Sequence, residues 1–203
     1  MEIKVLRLGD IQVNCYLVKT EKVALVIDAG YYSKETEDFL NENYDKERII
    51  LLTHAHFDHI GGALDLRENC GVKIAIGEKE NAFLSDSKVN LSHLFGANLK
   101  PFSADVLLAD GEILKIGDLE IKVIHTPGHT LGGVCYLIDN VLFSGDTLFN
   151  QSVGRTDFPT GDFNTLSASI RRLYELDDDI SVLSGHGDAT KIGIEKIYNP
   201  FVR

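Results

Sequence analysis

The sequence predicts a mixed α/β (α+β) fold: two sheets packed face to face with helices outside, a four-layer αββα sandwich. Three observations carry that prediction. Short continuous aliphatic runs, at residues 23–28, 48–53 and 72–76, have the length and composition of strands buried on both faces. Segments with apolar residues at helical spacing, such as Phe163, Leu166, Ile170, Leu173 and Tyr174, separate groups of strands. Strands followed by a helix recur loosely in each half, and two stacked sheets accommodate that rhythm.

The elements follow in order. Residues 2–8 and 13–19 alternate and flank Gly9-Asp10, which reads as two strands and a turn. The buried strand at 23–28 ends in Asp28-Ala29-Gly30, and Ser33 has the character of an N-cap for a helix to about Tyr44, with Phe39, Leu40 and Asn43-Tyr44 inward. After the strand at 48–53, a helix is expected from about Ile60 to Asn69, then the strand at 72–76. Residues 78–104 are less regular: two short helices, around 78–85 and 87–95, and a break at Pro101 suit a segment that covers a site. Strands are expected at 105–108, 112–116, 119–125, 133–138 and 141–144, with Asp110-Gly111, Gly117-Asp118 and Asp139-Asn140 as hairpin turns. A long loop from Gly145 to Gly161 precedes a helix capped by Asp162, a last strand at 180–183 and a short closing helix.

The totals bound the function. A chain of 203 residues, 44% hydrophobic and 25% charged, suits one globular domain spanning 1–203. The net charge of −11 argues against a nucleic-acid partner, which needs a basic surface. No apolar run has the length of a membrane span, and the charged, alternating N-terminus reads as a strand and not a signal peptide, so a cytoplasmic protein without a membrane partner is expected. Cys15, Cys70 and Cys135 show no paired spacing and read as reduced structural thiols.

The chemistry concentrates in Thr53-His54-Ala55-His56-Phe57-Asp58-His59, at the end of a buried strand. In extended chain His54 and His56 point to the same side, whereas Asp58 and His59 fall where the chain turns and can face a second centre. This pattern suggests two metal ions side by side. His129, Asp146 and His186 also follow strand ends in glycine-containing loops, and strand ends on one edge of a layered fold converge. The donor types divide into His54, His56 and His129 for one ion and Asp58, His59 and His186 for another, with Asp146 able to bridge. Any one of these taken alone reads as a turn or surface residue; the joint pattern is what points to metal. Asp28, at a strand end, is either a hydrogen-bond partner orienting a ligand imidazole or an ordinary turn residue. His93 reads as an exposed helix residue and His125 as a core residue or a support for the ligands. Imidazole with carboxylate suits zinc, iron and manganese alike, with zinc the first expectation for two divalent ions.

These residues resemble the metallo-β-lactamase-fold superfamily. The first motif with Gly61-Gly62, then His125-Thr126-Pro127-Gly128-His129-Thr130, Ser144-Gly145-Asp146-Thr147-Leu148-Phe149 and Gly185-His186-Gly187, occur in the family's order. Within it the chain is similar to the short glyoxalase II (hydroxyacylglutathione hydrolase) branch. Asp146 at the bridging place argues against a β-lactamase, and His56 against the flavin-linked oxygen reductases. Gly154-Arg155-Thr156-Asp157-Phe158-Pro159 resembles a loop of short glyoxalase-like proteins and persulfide dioxygenases, which implies that Arg155 lies near an anionic thiol substrate; the alternative is a surface Arg155 paired with Asp157. The longer C-terminal helical region that supplies glutathione contacts in full glyoxalase II enzymes has no counterpart after His186, so the thiol stays open.

The resemblance implies hydrolysis of a small-molecule thioester or thiol conjugate, such as S-lactoylglutathione, by a metal-bridging hydroxide, with Asp58 as the catalytic residue that orients it and relays its proton. One alternative is a mononuclear iron persulfide dioxygenase using His54, His129 and Asp146 as a 2-His-1-carboxylate set. A third is a non-enzymatic metal-binding module. The oligomeric state is not specified by the sequence.

Overall fold

The computed structural model describes residues 1–202. Its first sheet begins with β1 (Glu2–Leu8), β2 (Val13–Lys19) and β3 (Val23–Ile27), followed by helix α1 (Lys34–Glu42). β4 (Glu47–Leu52) leads into α2 (Phe57–Ile60) and α3 (Ala63–Cys70), and β5 (Lys73–Gly77) into a 3₁₀ helix over Glu78–Ser85 and α4 (Ser92–Phe95). β6 (Val106–Leu108) completes a sheet ordered β1-β2-β3-β4-β5-β6, antiparallel through β3 and parallel beyond it.

The second sheet starts with β7 (Ile113–Ile116), β8 (Leu119–His125), β9 (Val134–Ile138) and β10 (Val141–Gly145). A small ribbon, β11 (Leu148–Phe149) with β12 (Ser152–Val153), and helix α5 (Phe163–Leu173) intervene before β13 (Ser181–Ser184), β14 (Thr190–Lys191) and α6 (Ile192–Tyr198). Its order is β14-β13-β10-β9-β8-β7, with β10 and β13 parallel. No helix among the described residues is long and apolar enough to cross a membrane.

The period-2 alternation of the buried strands sorts the core into layers. Leu25, Ile27 and Leu51 face the second sheet, where Tyr136, Ile138 and Phe143 meet them. Val26, Ile50, Leu52 and Ile74 face outward onto Leu40 of α1 and Leu66 of α3. On the far side, Ile124, Leu142 and Val182 pack against Leu166, Ile170 and Leu173 of α5. Helix, sheet, sheet and helix thus form four layers, as the sequence predicts. Ser33 and Asp162 cap α1 and α5 by accepting from the backbone N–H of Thr36 (3.0 Å) and Thr165 (2.7 Å). Cys15, Cys70 and Cys135 are free thiols, all buried.

Four local expectations are corrected. Asp110-Gly111 is not a hairpin: β6 pairs with β5 in one sheet and β7 with β8 in the other, so this turn carries the chain between sheets. Gly111 N–H bonds Val123 O at 2.9 Å, which fixes the turn to the second sheet. The helix expected from Ile60 to Asn69 starts at Phe57 and is interrupted at Gly61-Gly62. A Cβ at Gly62 would lie 2.4 Å from the Tyr31 carbonyl carbon, so the break is a close approach to the chain after β3. Residues 87–95 are helical only over Ser92–Phe95, because Asp86 and Asn90 side chains accept from Lys88 N–H and Ser92 N–H (both 3.0 Å) and favour turns. Tyr44 lies beyond the end of α1 and is exposed; Asn43, its C-cap, is the buried residue there.

Candidate metal centre

The parallel strands β3, β4 and β5 and the strands β8, β10 and β13 end at one rim of the sandwich. His54 and His56 follow β4, Asp58 and His59 lie on α2, His129 follows β8, Asp146 follows β10 and His186 follows β13. The structure brings all seven together. His56 Nδ1 lies 3.1 Å from His54 Nε2 and 2.9 Å from His129 Nε2. On the other side, Asp58 Oδ2 is 3.2 Å from His186 Nε2 and 3.8 Å from His59 Nε2. Asp146 stands between them: its Oδ2 is 3.6 Å from His129 Nε2 and 3.7 Å from His186 Nε2, and its Oδ1 is 3.3 Å from His59 Nε2.

This arrangement is a poor hydrogen-bond network and a good donor set. His129 Nδ1 donates to the Arg155 carbonyl oxygen at 2.7 Å, so in the neutral ring the Nε2 lone pair faces the cluster. Two imidazole nitrogens crowd His56 Nδ1 from different sides. His59 Nε2 and Asp146 Oδ1 are buried with no hydrogen-bond partner, a costly condition that an ion between them would relieve. The groups His54/His56/His129 and Asp58/His59/His186 each place three donor atoms within 4.8 Å of one another, as does His54/His59/Asp146. Donors at about 2.0–2.2 Å from a common ion lie roughly 3–3.5 Å apart, the spacing seen here.

Electrostatics agree. Burial, reinforced by neighbouring imidazoles, pushes His54 well below the usual histidine range. Burial likewise lowers His56 to about 3 and lowers His129, which favours the neutral imidazole, the form able to bind a metal. Burial opposes charge on His59 too, but Asp146, Asp28 and Asp58 outweigh it and hold the ring well above its ordinary value. Burial acts against ionisation of Asp58 and Asp146, and the adjacent imidazoles overcome it and lower both carboxyls. Three carboxylates around one buried ring make a pocket that calls for positive charge.

The surroundings fix each donor. Asp28, 1% exposed, accepts from Thr53 N–H and Thr53 Oγ1–H (both 2.8 Å), and its Oδ2 lies 3.0 Å from His59 Nδ1. It therefore fixes the orientation of the His59 ring, a contact that an ordinary turn residue would not make. The His186 loop is clamped by the other sheet: Asn14 Nδ2 donates to Ser184 O (3.0 Å) and Gly187 O (2.9 Å), and Tyr16 O–H to Ser184 O (2.6 Å). Glu80 is a support the sequence reasoning missed. It is fully buried, and its two oxygens accept from Ala55 N–H (2.8 Å) and Gly132 N–H (2.7 Å), tying the first motif to the loop after His129. A glutamate in the polar stretch Glu78-Lys79-Glu80-Asn81 gives no local sign of burial.

A cleft of about 490 Å³ opens over the donors. His56, Asp58, His129, Asp146 and His186 form part of its lining, and the segment after β5 contributes Leu91 and Phe95, so that irregular stretch does border the site. Arg155 lines the cleft as well, but its guanidinium donates to both oxygens of Asp157 (2.7 and 2.6 Å) and lies 3.9 Å above the Phe158 ring. His125 is not brought to the donors: it sits in a separate small cavity with Lys79 and Asp110, its Nε2 3.2 Å from Leu131 O. His93 is exposed on α4.

Comparison with known proteins agrees with this geometry. The family model of the metallo-beta-lactamase superfamily matches residues 8–186. The Haemophilus influenzae protein named hydroxyacylglutathione hydrolase GloC is 38% identical, the match covering 100% of this chain and 98% of that one. Among solved structures, BLEG-1 B3 metallo-beta-lactamase superposes with a TM-score of 0.90 at 39% identity, covering 99% of each chain. TTHA1623, solved in a di-iron-bound form, gives 0.85 at 33% identity, covering 98% of this chain and 100% of that one. The four layers, the order of the seven donors along the chain and these full-length similarities agree: the chain belongs to the metallo-beta-lactamase superfamily.

Proposed function

We propose that the protein is a metal-dependent hydrolase of small-molecule thioesters, of the glyoxalase II kind. The observation that supports this best is the placement of Asp146 between two complete donor sets at the floor of an open cleft. Two divalent ions held there would supply Lewis acidity toward a carbonyl and lower the pKa of water to about 7. His54, His56 and His129 would hold one, and Asp58, His59 and His186 the other, with Asp146 within reach of both groups.

The chain's own contribution is orientation and proton handling. Asp58 borders the cleft, and its Oδ2 faces the His186 and His59 rings. That position supports a role for Asp58 in accepting a proton from water at the cleft floor. Arg155 O fixes the tautomer of His129, and Asp28 that of His59. A thiolate is a good leaving group, so the reaction needs no strong acid beside the leaving sulfur, and the lining offers none beyond the ligands. The full-length similarity to a protein named hydroxyacylglutathione hydrolase favours the same bond.

The dioxygenase alternative uses only His54, His129 and Asp146 and gives no role to Asp58, His59 and His186, which lie together as a second donor group. The test is thiol release from S-lactoylglutathione by metal-loaded protein, compared with persulfide-dependent oxygen uptake and β-lactam hydrolysis. Asp58→Ala with metal content measured should lower thioester turnover by about 10²–10⁴-fold. Undiminished turnover in that variant, or oxygen uptake or β-lactam hydrolysis in place of thiol release, contradicts the proposal.

A further inference from the structure

The cleft has a chemical character that its metal donors do not explain. Its lining beside the donors is apolar: Phe57, Leu91 and Phe95 from the first half of the chain, and Phe149, Val153 and Phe158 from the second. Phe57 and Phe95 stack at 4.9 Å between ring centroids with planes 22° apart, and Phe95 meets Phe158 edge-on at 6.2 Å. These rings reach the donors themselves: Phe158 lies 6.0 Å from the His56 ring and Phe149 6.4 Å from the His186 ring. Ile11, at the mouth, and Phe95 remain 41% and 49% exposed, apolar surface that is costly to leave in water unless something covers it.

The one cationic side chain of the cleft outside the donor set is already matched. Apart from the donor set, Arg155 is the one charged residue lining it, and its guanidinium is engaged by both Asp157 oxygens and by the Phe158 face. A substrate bearing carboxylates would find the Arg155 guanidinium already paired with a carboxylate, on a chain of net charge −11. An apolar substituent would meet phenyl rings on either side of the donors.

On the thioester reading above, we infer that the cleft selects uncharged thioesters with an apolar acyl group, medium-chain aliphatic or aryl, over conjugates that carry carboxylates. Phe95 is the specificity-determining residue, because its ring meets both Phe57 and Phe158 and reaches solvent.

The experiment compares kcat/KM for the acetyl and hexanoyl thioesters of N-acetylcysteamine and for hexanoyl-glutathione, using metal-loaded protein. Four added methylenes, partly buried, should raise kcat/KM by about 10- to 100-fold from acetyl to hexanoyl. The uncharged thiol should be preferred to glutathione. In Phe95→Ala the hexanoyl-to-acetyl ratio should collapse to within a few-fold, and Phe95→Leu should restore most of it, which a mere folding defect would not do. Equal rates for the two acyl groups, a preference for glutathione, or an unchanged ratio in Phe95→Ala overturns this inference alone. No hydrolysis of any thioester by protein with its metal sites filled overturns the thioester reading itself, and this inference with it.

Discussion

Asp28→Asn tests how the donor set is held. In the native chain one carboxylate accepts three bonds, from Thr53 N–H, Thr53 Oγ1–H and His59 Nδ1. Asn has the same shape, but one acceptor becomes an NH₂ donor. Its oxygen can keep Thr53 N–H, which leaves the amide facing Thr53 Oγ1 and His59 Nδ1. The hydroxyl can turn and accept. The imidazole, which the surrounding carboxylates hold in its charged form in the apo protein, has a proton on both nitrogens, so its Nδ1–H faces the new amide donor unless the ring gives that proton up. A buried donor facing a donor costs about 1–3 kcal/mol, so the apo protein should lose about 2 kcal/mol, or roughly 4–8 °C in Tm for a chain of this size. The loss of metal affinity should be selective: about 10–100-fold for the site of Asp58, His59 and His186, and little for the site of the three imidazoles. Thermal melting of the apo protein and stepwise metal titration by calorimetry give both numbers. Equal weakening of both sites, or no change in either, would refute the assignment of Asp28 as the residue that orients His59.

Two further changes probe neighbouring supports. Gly185→Ala puts a Cβ 2.2 Å from Asp146 Oδ1 and 2.6 Å from His59 Cε1, so purified protein should hold less than its full metal complement while folding; full occupancy would contradict the packing. Burial raises the Glu80 carboxyl above its usual 4.5 despite its two backbone donors. The folded state therefore holds that proton to higher pH than the unfolded chain, and Glu80's contribution to stability is greatest at low pH and declines as pH rises above about 4.5. The stability difference between wild type and Glu80→Gln should shrink over that range in urea melts; a difference that grows with pH would reverse the sign.

Much of the centre was legible in the sequence because its donors are chemically distinctive and lie directly after buried strands. His54, His56, Asp58, His59, His129, Asp146 and His186 needed no tertiary information beyond the convergence of strand ends. The layers were legible from uninterrupted aliphatic runs. What remained hidden depends on distant partners. Asp110-Gly111 has hairpin chemistry, yet which sheet each flanking strand joins is set by β5 and β8, far away in the chain. Glu80 resembles a surface glutamate until its two backbone donors, 25 and 52 residues distant, are in place. The apolar lining of the cleft comes from the ends of very short elements, Phe57 of α2, Phe95 of α4 and Phe149 of β11, and from the loop that carries Phe158; none is long enough for a periodicity to show where its ring points. Arg155 shows the converse: its loop pointed to the site, but its guanidinium is engaged by Asp157, two residues along, and it is its backbone oxygen that holds His129.

Whether two ions together serve one thioester hydrolase is decided by titrating metal-free protein with Zn²⁺ while following thiol release from a thioester. Activity should rise to a plateau at two equivalents per chain, with Asp58→Ala still binding metal at the three-imidazole site but turning over about 10²–10⁴-fold more slowly. A plateau at one equivalent, or full metal loading without thiol release, would contradict that reading.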